Sequence, residues 1–176
     1  MKKLNITNIL YDHIKTLCDD LTRKVSKSDI FTFYGVPLLL GLILCFVPID
    51  LPDNFIGNII AVFSIFSALL FSAQIALYAL KPDKPKKRSD QIEQRLVDEK
   101  FARHVRFLSD VNANTSYLIL ISCVALIYFV IIGVVGAPPS VVSGSIGVIC
   151  SHFFLSLLML IRRTHVAFKL GYELRD

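Results

Sequence analysis

"VNANTSYLILISCVALIYFVIIGVVGAPPSVVSGSIGVICSHFFLSLLMLI", residues 111–161, contains no Asp, Glu, Lys or Arg. One bilayer crossing takes about 20 apolar residues of helix, so this run is long enough for two. It also carries its own turn. "GAPPS" (136–140) sets a glycine and two prolines near the middle, where a helix has to stop. The stretch therefore predicts two transmembrane helices, near 115–135 and 141–162. Two more uncharged blocks, Ile30–Ile49 and Asn54–Leu80, each allow one crossing, near 31–48 and 55–80. The fold class follows: an all-α integral membrane protein with four transmembrane helices as two hairpins, together with cytoplasmic amphipathic helices.

The division this implies is a cytoplasmic amphipathic helix in 1–29, a hairpin in 30–80, a basic connector and helix in 81–114, a second hairpin in 115–162 and a tail in 163–176. No room is left for a soluble second domain. The first apolar block begins only near residue 30, behind a charged stretch, which argues against a cleaved signal peptide.

Charge sets the orientation. All 19 Lys and Arg residues fall in 1–29, 81–110 or the tail, and the turns "DLPD" (50–53) and "GAPPS" hold none. Basic residues near helix ends stay on the cytoplasmic side. Both termini and the middle segment are therefore expected inside. Tyr34, Tyr78 and Tyr117 fall at the expected inner ends, where an amphipathic ring prefers to sit.

The amino-terminal segment places Ile6, Leu10, Ile14, Leu17, Leu21 and Val25 at steps of three and four, one face of a helix. That face suits the inner membrane surface or a protein partner. In the connector, "KPDKPKKR" (81–88) has prolines that end the second span. Lys84, Lys86, Lys87 and Arg88 are placed to meet anionic headgroups, at about 1 kcal/mol each. Asp90 followed by Glu93 has capping-box spacing. Ile92, Leu96, Val97, Phe101, Val105 and Leu108 form a rough apolar face, and Glu99 and Arg103 are spaced for an ion pair. A passive turn between helices needs only about 2–8 residues. The connector is far longer, so it is read as a docking element with Arg95, Arg103, Arg106 and Phe101 facing a soluble partner.

Within the spans, Pro37 between Gly35 and Gly41 predicts a kink in the first helix. Gly57, Ala61, Ser64, Ala68, Ser72 and Ala76 make a small-residue stripe on the second. Ser140, Gly144, Gly147 and Ser151 make a shorter one on the fourth. Such stripes let backbones approach closely, within a subunit or between subunits. They predict a homo-oligomer, such as a tetramer, weakened by Leu at Gly144 and Gly147.

His152, halfway along the fourth span, is the candidate intramembrane site. The plainer expectation is a neutral imidazole bonded to Ser67 or Ser122. Gln74 and Asn58 lie near span ends, where packing or interfacial roles suffice. His13, His104 and His165 are dispersed and expected at solvated or interfacial positions.

No catalytic chemistry is expected. There is no Gly-rich phosphate loop, and "SGSIG" (143–147) has the letters of a nucleophile elbow but lies in a membrane helix. Cys18, Cys45, Cys123 and Cys150 are single and scattered, so no metal, redox pair or cofactor is expected. The missing intramembrane carboxylate counts against a proton-coupled transporter. Two functional classes are left ahead of it. One is a membrane scaffold or sensor that docks a cytosolic protein without binding nucleic acid itself. The other is a pore-forming effector triggered from the cytoplasm.

In size, topology and basic cytoplasmic helix, the whole chain resembles the small four-helix membrane subunits of bacterial anti-phage defence systems, in particular the transmembrane subunit of Kiwa. The resemblance implies a multi-pass protein of the bacterial inner membrane that oligomerises, senses infection at the envelope and holds a DNA-binding cytosolic partner. It maps no functional residue.

Overall fold

A computed structural model describes residues 6–16, 27–47, 52, 54–79 and 90–173. Lys84, Lys86, Lys87, Arg88 and Cys18 lie outside the described residues, as do Leu17, Leu21 and Val25. Every described element is helical: α1 (Thr7–Thr16), α2 (Lys27–Ile30), a π-helical turn (Phe31–Gly35), α3 (Val36–Phe46), α4 (Phe55–Ala79), α5 (Gln91–Val135) and α6 (Pro139–Glu173). Four stretches are long and apolar enough to cross a membrane: Ser28–Phe46, Phe55–Ala79, a part of Gln91–Val135, and Pro139–His165. They suggest a multi-pass membrane protein.

Each boundary has a local cause. Asp90 caps α5 from an extended backbone, its carboxylate accepting from the Ile92 N–H at 2.9 Å. At the other end Gly136 adopts a positive φ of 76°, which a side chain would resist. Pro138 follows two residues later, and α6 starts at Pro139, whose missing N–H costs nothing in a first turn. Between its caps α5 runs 45 residues without a break. That is about 68 Å, more than twice the thickness of a bilayer core. The connector helix and the third span are one rod, whose charged first half projects beyond the apolar stretch as a stalk.

The core lies where α4, α5 and α6 meet. Phe63 stacks against Phe129 at 6.2 Å and meets Phe153 edge-on at 5.2 Å, and all three are buried. Leu70, Leu118, Ala125 and Leu160 extend this layer. Gln74 adds a polar cross-link, donating to Asn112 Oδ1 at 3.2 Å and Ser116 Oγ at 2.8 Å. It joins α4 to α5 rather than reaching for headgroups.

The expected pairing of the spans needs correction. The first two spans are consecutive, but α3 packs against α6 and α4 against α5, with no α3–α4 contact among the described residues. Glycines decide this. A Cβ on Gly41 would lie 2.7 Å from the Gly144 carbonyl oxygen, and one on Gly147 would lie 3.0 Å from Gly41 Cα. Backbone therefore meets backbone between α3 and α6. The α6 stripe is spent inside the subunit, so Gly144 and Gly147 are not oligomer contacts. The α4 stripe is different: Gly57, Ala61, Ser64, Ala68, Ser72 and Ala76 are all exposed, and nothing lies within 4 Å of a Cβ built on Gly57.

Candidate functional site: a polar collar at the base of the stalk

Helix α1 docks on α5 through its polar face, an arrangement the sequence did not lead us to expect. Ile6, Leu10 and Ile14 point outward, and His13 and Thr16 are the buried residues of the helix. His13 is 1% exposed, which corrects the expectation of a solvated or interfacial position; His104 and His165 are exposed. The reason is the nature of the surface that α1 covers. It sits where the charged stalk gives way to the uncharged run, over Asn114, Thr115 and Tyr117, all buried. A polar patch there needs polar partners, because a buried unpaired polar group costs more than the bond it would form.

The contacts are specific. His13 Nδ1–H donates to Asn114 Oδ1 at 2.9 Å. The Thr16 hydroxyl lies 2.8 Å from the same oxygen and 2.6 Å from the His13 carbonyl, and its one proton serves either. The Arg163 guanidinium on α6 donates to the Thr16 carbonyl. It thereby satisfies a free acceptor at the end of α1 and sets a positive charge against the negative pole of that helix. The His13 ring lies flat on the Tyr117 ring, with centroids 3.6 Å apart and planes inclined by 6°. Burial pulls the His13 pKa down from 6.5 to about 4; the Asn114 bond opposes this, and the Arg163 charge adds to it.

Tyr117 carries the collar into the membrane-level part of the bundle. Its hydroxyl donates to His152 Nε2 at 2.6 Å, and His152 Nδ1–H donates to the Phe33 carbonyl at 2.8 Å. A carbonyl can only accept, so Nδ1 carries the proton and Nε2 takes the tyrosine hydrogen. The Phe33 carbonyl is the one that Pro37, four residues on, cannot serve. His152 supplies the missing donor. Pro37 also explains the π-helical turn just before it, where the Val36 N–H reaches back five residues to Phe31. The partners expected for His152 were wrong. Ser67 lies 3.8 Å from Cys123 Sγ, and Ser122 bonds its own helix at the Leu118 carbonyl. Tyr34 leans on the imidazole instead, 5.1 Å away.

His152→Phe would take the acceptor from the Tyr117 hydroxyl, leaving it only Tyr34, and the side-chain donor from the Phe33 carbonyl. A buried group stranded in this way costs about 1–3 kcal/mol. We therefore expect a lower thermal midpoint in detergent and looser protection of backbone amides around Phe33. An unchanged midpoint would remove His152 from the load on the kink.

The stalk residues split. Arg95, Arg103 and Arg106 are exposed and share one face; Glu99, Arg103 and Arg106 border a shallow recess of about 260 Å³. Phe101 is not with them. At roughly 100° per residue it lies on the far side of the rod, half-buried, while Ile92 and Leu96 stand exposed beside the arginines. The helical period is the cause: each step of four residues advances about 40°, so the apolar positions drift round the helix. Glu99 and Arg103 make no ion pair, in keeping with the small gain from a solvated one.

His13, Thr16, Asn114, Tyr117 and Arg163 were not expected as a site. A signal existed in the pairs His13/Thr16 and Asn114/Tyr117, each spaced i, i+3 and so on one helix face. No group of three or more His, Cys, Asp or Glu side chains that could hold a metal occurs among the described residues. No protein-family model, curated protein or solved structure matches this chain.

Proposed function

We propose that the chain is a membrane-embedded scaffold and sensor whose oligomer presents the α5 stalks to a cytosolic protein partner, in anti-phage defence as the resemblance to Kiwa-type subunits implies. One observation carries this reading: a single uninterrupted helix links an exposed arginine face to the centre of the bundle. Charge on such a face mainly sets encounter rate and partner choice, and Ile92 and Leu96 supply apolar anchors next to it. The stalk, both chain ends and the basic connector face the cytoplasm of a bacterial inner membrane, the side the basic residues favour. The charge of Lys84, Lys86, Lys87 and Arg88 favours anionic headgroups on that side.

Reversing Arg95, Arg103 and Arg106 to Glu is the deciding experiment. The variant is expected to insert and assemble normally yet lose its cytosolic partner on co-purification from membranes. If it retains every protein the unaltered chain retains, docking by this face is refuted.

Assembly rests on the α4 stripe, which the subunit leaves open. Gly57→Leu with Ala61→Leu fits the isolated subunit, where the space is empty, and is expected to convert the oligomer to smaller species in mild detergent. An unchanged oligomer size would move the subunit contact elsewhere. The pore-forming alternative would use the same assembly, and depolarisation of vesicles on partner binding separates the two readings.

A further inference from the structure

Because α3 turns to α6 and α4 to α5, α3 and α5 do not touch, and a cleft of about 330 Å³ opens between them. Pro37 and Leu38 form one wall, Ala125 and Val124 the other, and Val148 and Ile149 the floor. The mouth lies between Leu38, 62% exposed, and Val124, 55% exposed, so the cleft opens outward rather than into the bundle. Leu38 is near the middle of the Ser28–Phe46 span, and Val124 is near the middle of the uncharged part of α5. One end is closed by Tyr34, Tyr117 and His152.

We propose that this cleft holds one acyl chain of a phospholipid from the surrounding bilayer. The inference rests on the reading of the four long helices as membrane spans. At mid-span depth the medium outside the mouth is hydrocarbon, and an apolar cavity does not retain water. The closed end is a poor site for a polar solute, because the Tyr117 hydroxyl bonds His152 and Tyr34 and both His152 nitrogens are already engaged. A helix of a second copy is about 10 Å wide with its side chains and does not fit a space of this size. A single flexible chain does. The π-helical turn directly precedes Pro37, and Tyr34 in the turn and Pro37 after it both line the cleft. Pi-helical turns within helices are often found at functional sites.

An acyl chain in the cleft rests against Tyr117, and the other side of that residue is the platform for His13. Lipid occupancy and the docking of α1 therefore share one side chain, and whatever coupling they have is reciprocal. For a sensor at the envelope, this places a report of bilayer state next to the helix that clamps the stalk.

The test is native mass spectrometry of the full chain, extracted in mild detergent. One retained adduct of phospholipid mass per chain is expected. Val124→Trp, at the exposed mouth where the fold tolerates bulk, should lose most of it. Ile65→Trp, on an exposed part of α4, should keep it. Equal retention in the two variants overturns the proposal, as does an adduct of fatty-acid mass or the absence of any adduct. Loss of the adduct only together with a change of oligomer size also overturns it, because the mouth would then face a second copy. Release of the chain from membranes by alkaline carbonate would instead overturn the membrane reading itself.

Discussion

Gly41→Leu is expected to detach the first span from the bundle. The added Cβ alone would come within 2.7 Å of the Gly144 carbonyl oxygen, closer than real Cβ atoms come to other heavy atoms. The obstacle is backbone, so no rotamer change relieves it. Overpacking a tight core typically costs about 1–3 kcal/mol, and a clash with backbone belongs at the upper end. The consequence reaches beyond α3. When α3 moves off α6, the Phe33 carbonyl leaves His152, and Tyr117 loses the acceptor for its hydroxyl. The measurement is the thermal midpoint in detergent, with Gly133→Leu as control. A Cβ on Gly133 meets only Ile56 Cγ2, at an ordinary 3.7 Å. A second reading comes from Gly144→Cys, whose Cβ would stand 3.2 Å from Cys45 Cβ, near enough to oxidise to a disulfide after slight relaxation. Gly41→Leu should abolish that cross-link. Equal midpoints for Gly41→Leu and Gly133→Leu would mean that α3 does not pair with α6 as described.

The docking of α1 should weaken steeply in mild acid. In the docked state His13 holds its proton only below about pH 4, whereas free in water its pKa is 6.5. Above pH 6.5 both states are neutral and docking has its full strength. As the pH falls from 6.5 towards 4 the undocked helix takes up a proton that the docked one refuses, and docking loses stability throughout that window. Below 4 the loss levels off, having reached on the order of 3 kcal/mol. Among the described residues, no carboxylate contacts the His13 ring to offset the new charge. Asn114 and Tyr117 on α5 are neutral, Arg163 on α6 is positive, and Asp12 and Lys15 lie on exposed faces of α1 itself. Backbone hydrogen exchange over Thr7–Thr16 follows the transition directly. Carboxylates elsewhere titrate in the same range, so the informative quantity is the difference from His13→Gln, which carries no titrating ring. If the two exchange profiles coincide at every pH, His13 does not gate the collar.

The four long apolar helices were legible because the evidence for them is categorical. Three blocks without a formal charge and one proline-rich turn leave little freedom in where helices cross. Which helix meets which was not legible. A small-residue stripe states that something comes close, and Gly41 and Gly144 do not name each other. The hairpin expectation followed chain order, and close packing overrode it. For α1 the apolar steps Ile6, Leu10 and Ile14 were read correctly as one face, but that its polar residues would dock the helix on α5 was not read at all. In a soluble protein the apolar stripe turns inward, because only the interior is apolar. Beside a bilayer the outside is apolar too, and the polar residues His13 and Thr16 seek the polar patch on the protein. The acceptor for His152 was within reach of the sequence, since Pro37 strands the carbonyl four residues before it. Only the third dimension brings residue 152 to residue 33.

From Gln91 to Ile132, α5 contains neither glycine nor proline, the residues at which long helices usually bend. It is therefore a lever, with the collar at Asn114–Tyr117 as its fulcrum. The outer arm, from Gln91 to Asn114, is about 35 Å, and each degree of tilt sweeps its tip through about 0.6 Å. The inner arm, from Tyr117 to Val135, is about 27 Å and would swing the opposite way, carrying Ala125 and Phe129 with it. Ala125 stands about 12 Å and Phe129 about 18 Å along the helix from Tyr117, so a displacement of the tip would reach the cleft wall at about a third of its size and the aromatic core at about half.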